Sequence, residues 1–148
     1  YDRPTTRAFA EKTNEKFGLT DRIYFMEIDY LAENIEGVYD VAWLSHILHG
    51  EGPEDCRKII KKAVSALEPG GTILIHDFIL NESMDGPLFP TLFSLNMLLG
   101  TPNGQSYSDQ QITDMLSEAG VGDTRRIFFE SPNDPGIIEG VVFEKLPQ

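Results

Sequence analysis

The sequence has few cysteines and no long apolar run. A single cysteine, Cys56, excludes a disulfide bond within the chain and is typical of a protein from a reducing cytoplasm. No apolar stretch approaches the length of a membrane-spanning helix, and none has the pattern of a signal peptide. These absences predict a cytoplasmic protein without a membrane partner.

Basic residues are also scarce. The chain carries 12 Lys and Arg against 24 Asp and Glu, which gives a formal net charge of −12. The densest basic cluster is Lys58, Lys61 and Lys62, and its spacing places it on the outer face of a predicted helix. Because nucleic acids bind basic surfaces, we expect no nucleic-acid partner.

The chain lacks a Gly-x-Gly loop after a first strand. It begins at Tyr1-Asp2-Arg3-Pro4, without a methionine, on residues that are typical of the end of a strand. Its 148 residues suffice for one domain with a hydrophobic core. We therefore expect residues 1–148 to be a fragment of a longer chain, part of one domain.

A strand, a helix and a second strand form the clearest pattern. The apolar run Val41–Leu44 predicts a buried strand, and apolar residues at steps of three and four predict a helix from Pro53 to about Leu67. Pro69-Gly70-Gly71 is expected to break that helix before a strand at Thr72–Leu80. This order predicts a parallel βαβ unit whose strands are buried on both faces.

Further elements complete the predicted fold. They are a helix from Pro4 to about Phe17 that ends at Gly18, a strand at Ile23–Ile28, a helix at Pro87–Leu99 that is apolar nearly all round, a helix with a capping box at Ser108 and Gln111 and an end at Gly120, and strands at about Thr124–Glu130 and Ile137–Lys145. The link Ser131–Gly136 is short enough for an antiparallel hairpin. We expect an α/β fold with a mostly parallel sheet that ends in this hairpin.

Polar residues stand where the predicted strands end. Asp29, Ser45 with His46, and Asp77 each follow an apolar run, and Asp2 stands on what is expected to be the end of a strand. Because parallel strands of one sheet deliver their carboxyl ends to one edge, we expect these residues to share one edge. Carboxylates there accept hydrogen bonds from ribose hydroxyls or an adenine amine. The pattern predicts a ligand site.

Four segments in this order resemble the S-adenosylmethionine-dependent O-methyltransferases that act on small aromatic molecules. They are Asp40–His49, Glu68–Gly71, Thr72–Asp77 and Asn103–Ser106, and the resemblance covers essentially the whole chain. It implies a Rossmann-like methyltransferase sheet without its first strand and glycine-rich loop. It also implies S-adenosylmethionine as cofactor, a small-molecule acceptor, no metal, and a homodimeric full-length protein.

The resemblance also assigns roles to residues. For the cofactor, it places Asp2 at the ribose hydroxyls and Asp29 with Tyr30 at the adenine. It places Ser45 where many relatives carry a lysine near the cofactor. For catalysis, it assigns His49 as the general base and Asp77 as the acid that steadies the base. The chain departs from the family pattern at two positions. Gly50 stands where an aspartate usually follows the histidine, and Ser106 replaces a second acid.

A base role for His49 has a chemical reason. A phenol has a pKa of about 10, so little of it is ionised at neutral pH, whereas a histidine with an ordinary pKa of about 6.5 can take its proton. Phe89, Phe93 and Met97 on the apolar helix are predicted to line a dry substrate cavity, with His46 as a further lining residue.

Two other functions stay open at this stage. One is a nicotinamide-dependent oxidoreductase on a related fold, against which the final hairpin argues. The other is a non-catalytic dimerisation or binding module that uses the apolar helix as its contact. Without the glycine-rich loop, we expect the chain by itself to be inactive and to bind the cofactor weakly or not at all.

Overall fold

The computed structural model describes residues 1–127, 132–133 and 135–143. Within it the chain divides into two compact units, Tyr1–Ile35 and Glu36–Gln148. The predicted βαβ unit and the two later helices belong to the second unit.

The first unit contains one helix. Pro4 begins a short 3-10 turn, Pro4–Thr6, which continues into α1, Arg7–Lys16. Gly18 then adopts a left-handed φ of 64°, as the sequence predicts for the helix end.

The prediction of a strand at Ile23–Ile28 is wrong. Only an isolated parallel bridge joins Asp2 to Glu27, through hydrogen bonds from Asp2 N–H to the Met26 carbonyl and from Ile28 N–H to the Asp2 carbonyl. The run has the composition of a strand, but it pairs over a single position.

The second unit is built on a four-stranded sheet in the order β1-β2-β4-β3. Its elements are β1 Tyr39–Ser45, α2 Pro53–Ser65, β2 Leu67–Asp77, α3 Leu88–Gly100, α4 Asp109–Glu118, β3 Val121–Ile127 and β4 Gly136–Val142. β1 and β2 are parallel, whereas β4 is antiparallel to both β2 and β3. The final hairpin is therefore confirmed, and the expectation of a mostly parallel sheet is wrong for the described strands. Parts of the predicted last strands, 128–130 and 144–145, lie outside the described residues, as do Ser131 and Asp134 of the link.

The helix of the βαβ unit follows its sequence pattern. α2 begins at Pro53 and buries the apolar stripe Cys56, Ile59, Ile60, Ala63 and Val64. It ends before Leu67, which already belongs to β2. The predicted break at Pro69-Gly70-Gly71 therefore falls inside a strand. The pairing of β2 with β1 shifts between Tyr39 and Val41, so the extra β2 residues bulge out of the ladder.

β2 alternates between a buried and a half-exposed face. Ile73, Ile75 and Asp77 are buried, whereas Leu74 and His76 are only partly covered. The prediction that both strands of the βαβ unit are buried on both faces is wrong, since in β1 Val41 and Trp43 are exposed and only Leu44 is buried. Because Asp77 ends the buried row, its carboxylate lies against the protein interior rather than in solvent.

α3 is covered on one side rather than on several. Phe89 and Phe93 are half-buried, whereas five leucines of the helix are exposed: Leu88, Leu92, Leu95, Leu98 and Leu99. Within the described part of the chain, α3 included, no helix is both long and apolar enough to cross a membrane.

The capping box predicted for α4 is confirmed. The Ser108 hydroxyl accepts a hydrogen bond from Gln111 N–H, and the Gln111 side chain accepts one from Ser108 N–H. Just before the cap, the Tyr107 carbonyl accepts a hydrogen bond from Leu80 N–H. The segment before α4 is thereby tied to the residues that follow β2.

Candidate active site

His49 lies on a short 3-10 turn, Leu48–Gly50, just beyond β1. The chain leaves the strand at His46, whose φ of 55° lies in the left-handed region and whose N–H donates to the His76 carbonyl. Leu48 is 1% exposed and anchors the turn in the core. These features place the His49 side chain beside the end of β2.

Asp77 is the group that holds His49. Its carboxylate is 2.6 Å from His49 Nδ1, and it also accepts hydrogen bonds from the backbone N–H of His49, at 3.2 Å, and of Phe78, at 2.8 Å. The residue is only 4% exposed. The carboxylate therefore fixes both the ring and the backbone of His49, as the expected partnership between these residues requires.

The contact with Asp77 sets the tautomer of His49. An ionised carboxylate only accepts hydrogen bonds, so Nδ1 carries the proton that it donates to Asp77. The other ring nitrogen, Nε2, is then unprotonated when the ring is neutral. It is the atom that can receive a proton from a ligand.

Three phenylalanines form a cluster beside the histidine. The Phe93 ring meets His49 edge-on at a centroid distance of 4.8 Å, and Phe78 lies 4.5 Å from Phe93 and 5.0 Å from Phe89. We call Phe78, Phe89 and Phe93 the aromatic cluster. Its members form an apolar wall beside the histidine, which suits the binding of a flat aromatic molecule.

Phe78 was not predicted as a site residue. It directly follows Asp77, so the strand end that identified the acid also marks its neighbour. Met97, which was predicted to line the cavity, is half-buried and lies one helical turn beyond Phe93. Its contribution stays a prediction.

His46 lies at the edge of the same group. Its ring is 4.8 Å from Phe78 and 5.9 Å from His49, and its Nδ1 is 3.9 Å from the Asp77 carboxylate. Partial burial lowers the pKa of His46, although the charge of Asp77 opposes that change. The lowered pKa favours the neutral form of His46.

Donor atoms of His46, His49 and Asp77 lie within 4.8 Å of one another. Two nitrogen or oxygen ligands of one tetrahedral zinc ion stand about 3.3 Å apart, given metal–ligand bonds of about 2.0 Å. The 2.6 Å contact between His49 and Asp77 is instead the length of a hydrogen bond. The arrangement fits a hydrogen-bonded pair better than a metal centre, and the expectation of no metal stays a prediction.

Ser45 contacts a histidine of the neighbouring strand. Its hydroxyl lies 2.9 Å from Nδ1 of His76, which is half-buried. A role for Ser45 toward the cofactor stays a prediction.

The first unit contains the other predicted cofactor residues. Asp29 lines a cavity of about 750 Å³ together with Arg3 and Pro4, a volume within the range of small-molecule sites. The Asp29 carboxylate accepts hydrogen bonds from the N–H groups of Leu31 and Ala32. These contacts fix its position beside a cavity large enough for a nucleoside.

Asp2 and Tyr30 both contact Arg3. The Asp2 carboxylate accepts a hydrogen bond from Arg3 N–H at 2.7 Å, and the Tyr30 hydroxyl accepts one from the Arg3 guanidinium at 2.8 Å. Neither Asp2 nor Asp29 belongs to the four-stranded sheet, so the prediction that they stand at strand ends of the same sheet as Asp77 is wrong.

A sequence model of the family described as O-methyltransferase domain matches residues 1–122, most of the chain and both units. The chain belongs to the O-methyltransferase domain family. The resemblance to S-adenosylmethionine-dependent O-methyltransferases of aromatic molecules is thereby confirmed.

Relatives within this O-methyltransferase family match over nearly all of the chain. The 3-hydroxy-5-methyl-1-naphthoate 3-O-methyltransferase of Streptomyces sahachiroi is 35% identical over 95% of this chain and 40% of its own length. The solved structure of PigF with SAH, a methyl transferase from Serratia, is 31% identical, with a TM-score of 0.83 over 94% of this chain and 41% of its own. The structure of human N-acetylserotonin methyltransferase, solved with SAM, is 26% identical. Its TM-score is 0.81, and the match covers 97% of this chain and 39% of the human chain. The chain thus spans about two fifths of the length of these relatives.

One departure from the O-methyltransferase pattern has a clear structural role. Ser106 is 1% exposed; its hydroxyl donates to the Pro90 carbonyl, and its N–H donates to the Ser94 hydroxyl. Ser106 therefore attaches the start of α3, which carries Phe89 and Phe93, to the segment before α4. Nothing in the structure explains Gly50.

Gly104 packs directly on the turn that carries His49. A Cβ added at Gly104 lies 2.5 Å from the His49 carbonyl oxygen and also collides with Thr101. We expect Gly104→Ala to displace the turn and lower kcat of the full-length protein by about 10- to 100-fold, since a 1 Å misplacement costs up to about 100-fold. Steady-state kinetics measures this loss.

Gly100→Ala is the matched control for Gly104→Ala, because a Cβ at Gly100 meets nothing within 4 Å. We expect its kcat to equal that of the wild type. An equal kcat for Gly104→Ala and Gly100→Ala would contradict the expected displacement of the turn.

Proposed function

We propose that the full-length protein transfers a methyl group from S-adenosylmethionine to a hydroxyl group of a small aromatic molecule. In this proposal His49 is the general base. The observation that carries it is the 2.6 Å contact between His49 Nδ1 and the buried carboxylate of Asp77.

His49 removes the proton of the acceptor. As the oxygen of the acceptor attacks, Nε2 takes its proton, and the ring becomes positively charged. The Asp77 carboxylate, already bonded to Nδ1, stabilises that charge. General bases of this kind contribute about 10²–10⁴-fold to the rate.

The aromatic cluster binds the acceptor ring. Phe78 and Phe93 pack against each other and beside His49, so an acceptor ring that packs against their exposed faces has its hydroxyl close to the base. His46, which is partly exposed, lies at the edge of the same surface. These residues are the proposed determinants of acceptor shape.

The cofactor residues are Asp2, Asp29, Tyr30 and Ser45. When bound, S-adenosylmethionine would supply an electrophilic methyl group on a sulfonium sulfur and would leave as the neutral thioether S-adenosylhomocysteine once the carbon–sulfur bond breaks. The carboxylates of Asp2 and Asp29 would accept hydrogen bonds from its ribose and adenine groups, and Tyr30 would contact the adenine. The cavity beside Asp29 is large enough for these groups.

Membership in the O-methyltransferase domain family favours methyl transfer over the two other functions that the sequence left open. None of the relatives described above is named as a nicotinamide-dependent oxidoreductase or as a non-catalytic binding module. A homodimeric full-length protein, a cytoplasmic location and the absence of nucleic-acid and membrane partners stay predictions.

The reaction is tested with S-adenosylmethionine that carries an isotopically labelled methyl group. The full-length protein is incubated with a panel of small phenols, naphthols and hydroxyindoles, and each acceptor is paired with the same ring lacking the hydroxyl. We expect labelled methyl ethers from hydroxylated acceptors only, as identified by mass spectrometry and NMR. Label on ring carbon, or turnover of the unhydroxylated partners, would contradict the proposal.

A further inference from the structure

Two buried side chains lie behind the His49 turn. Tyr107, just before α4, is 2% exposed, and Cys56, in the first turns of α2, is fully buried. Neither is assigned a part in the methyl-transfer reaction above. Both point their polar atoms at the backbone of the turn.

Their contacts bracket His49 on both sides. The Tyr107 hydroxyl donates to the carbonyl of Glu51 at 2.5 Å. The Cys56 sulfur is 3.2 Å from the carbonyl of Leu48, 3.7 Å from the carbonyl of Glu51 and 3.4 Å from the Tyr107 oxygen, and its one hydrogen serves one of these acceptors at a time. The two carbonyls belong to the residues immediately before His49 and immediately after Gly50.

Tyr107 is itself firmly held. Its carbonyl accepts a hydrogen bond from Leu80 N–H, three residues beyond Asp77, and the next residue is the N-cap of α4. The same segment therefore fixes the turn with His49 relative to the strand end with Asp77.

Both groups keep their protons under physiological conditions. Burial raises the pKa of the Cys56 thiol to about 11 and raises that of the Tyr107 hydroxyl above its usual value. Each remains a neutral hydrogen-bond donor, as the carbonyl contacts require.

We propose that Tyr107 is a positioning residue for His49. Its hydroxyl acts on His49 through the hydrogen bond to the Glu51 carbonyl, and Cys56 supports the same turn through its own contacts. This inference rests on the proposed base role of His49. The hydroxyl keeps the turn in the position at which His49 contacts Asp77 and its Nε2 faces the acceptor.

Tyr107→Phe removes the hydroxyl and keeps the ring. In the full-length protein we expect kcat to fall about tenfold, which corresponds to about 1.4 kcal/mol, with the KM for S-adenosylmethionine unchanged. In a His49→Gln background the same substitution should have no further effect on kcat, because Tyr107 acts only through His49.

Tyr39→Phe is the matched control. The Tyr39 hydroxyl also donates to a backbone carbonyl, that of Glu36, at 2.8 Å, but away from the turn. We expect its kcat to equal that of the wild type.

Amide hydrogen exchange tests the inference without activity. Gly50 and Glu51 donate to the carbonyls of Ile47 and Leu48, and we expect Tyr107→Phe to speed their exchange about tenfold while the amides of β4 stay unchanged. Cys56→Ala is a second variant, should Tyr107→Phe not fold, and we expect it to speed the same exchange to a smaller extent.

The outcomes separate this inference from the proposed function. Unchanged exchange at Gly50 and Glu51 in both variants, or an equal loss of kcat with and without His49, would overturn the positioning role. Wild-type turnover of His49→Gln would instead overturn the base role, and the exchange rates would still decide whether Tyr107 holds the turn.

Discussion

Replacing His49 by glutamine is expected to lower kcat of the full-length protein for a phenolic acceptor by about 10²–10⁴-fold at neutral pH. Glutamine keeps polar atoms near the Asp77 carboxylate, but it has no nitrogen that accepts a proton near neutral pH. The acceptor must then lose its proton to water. Single-turnover kinetics, with S-adenosylmethionine and acceptor both saturating, measures the chemical step directly.

The cofactor residues are not altered in His49→Gln. We therefore expect the dissociation constant for S-adenosylmethionine, measured by calorimetry, to equal that of the wild type. If turnover falls only because cofactor binding is lost, His49 has a structural role and the base mechanism is incorrect.

Asp77→Asn is expected to lower kcat by about 10²-fold or more. Asp77 accepts from Nδ1 of His49 and from the backbone N–H groups of His49 and Phe78. An asparagine has one oxygen and one NH₂ group, so its NH₂ group must face at least one of these donors. If it faces the ring, Nδ1 becomes the acceptor, the proton moves to Nε2, and the base is blocked.

The same substitution is expected to lower stability. A buried donor left without its acceptor costs about 1–3 kcal/mol, so urea denaturation should give a free energy of unfolding lower by that amount. Asp85→Asn is the control, since Asp85 is exposed and its hydrogen bonds are to its neighbours Asn81 and Ser83. Equal kcat for the two variants would contradict the assignment of Asp77.

That Asp77 and the residues after β1 share one edge was predictable from a local rule, whereas the pairing of His49 with Asp77 was implied by the resemblance to the O-methyltransferases. Each residue comes at or just after the end of an apolar strand, and the two strands flank one helix in the chain. Parallel pairing of β1 with β2 then brings the strand ends together. The capping box at Ser108 was predictable for a similar reason, since both partners lie within one turn.

Contacts between distant segments were not predictable. Tyr107 and Cys56 are 51 residues apart, and no local pattern pairs them. The run Ile23–Ile28 has the composition of a strand, yet strand formation depends on a partner, and only Glu27 finds one. Pro69-Gly70-Gly71 has the composition of a helix break, but a shift in register accommodates it within β2.

The central claim is that His49 takes the proton of the acceptor hydroxyl. It is tested most directly by the ratio of wild-type to His49→Gln kcat over a series of ring-substituted phenols of decreasing pKa, at a pH of about 7.5. The account predicts a ratio of about 10²–10⁴ for phenols with a pKa of about 10, falling toward 1 for phenols already ionised in water. A ratio that stays constant across the series would contradict it.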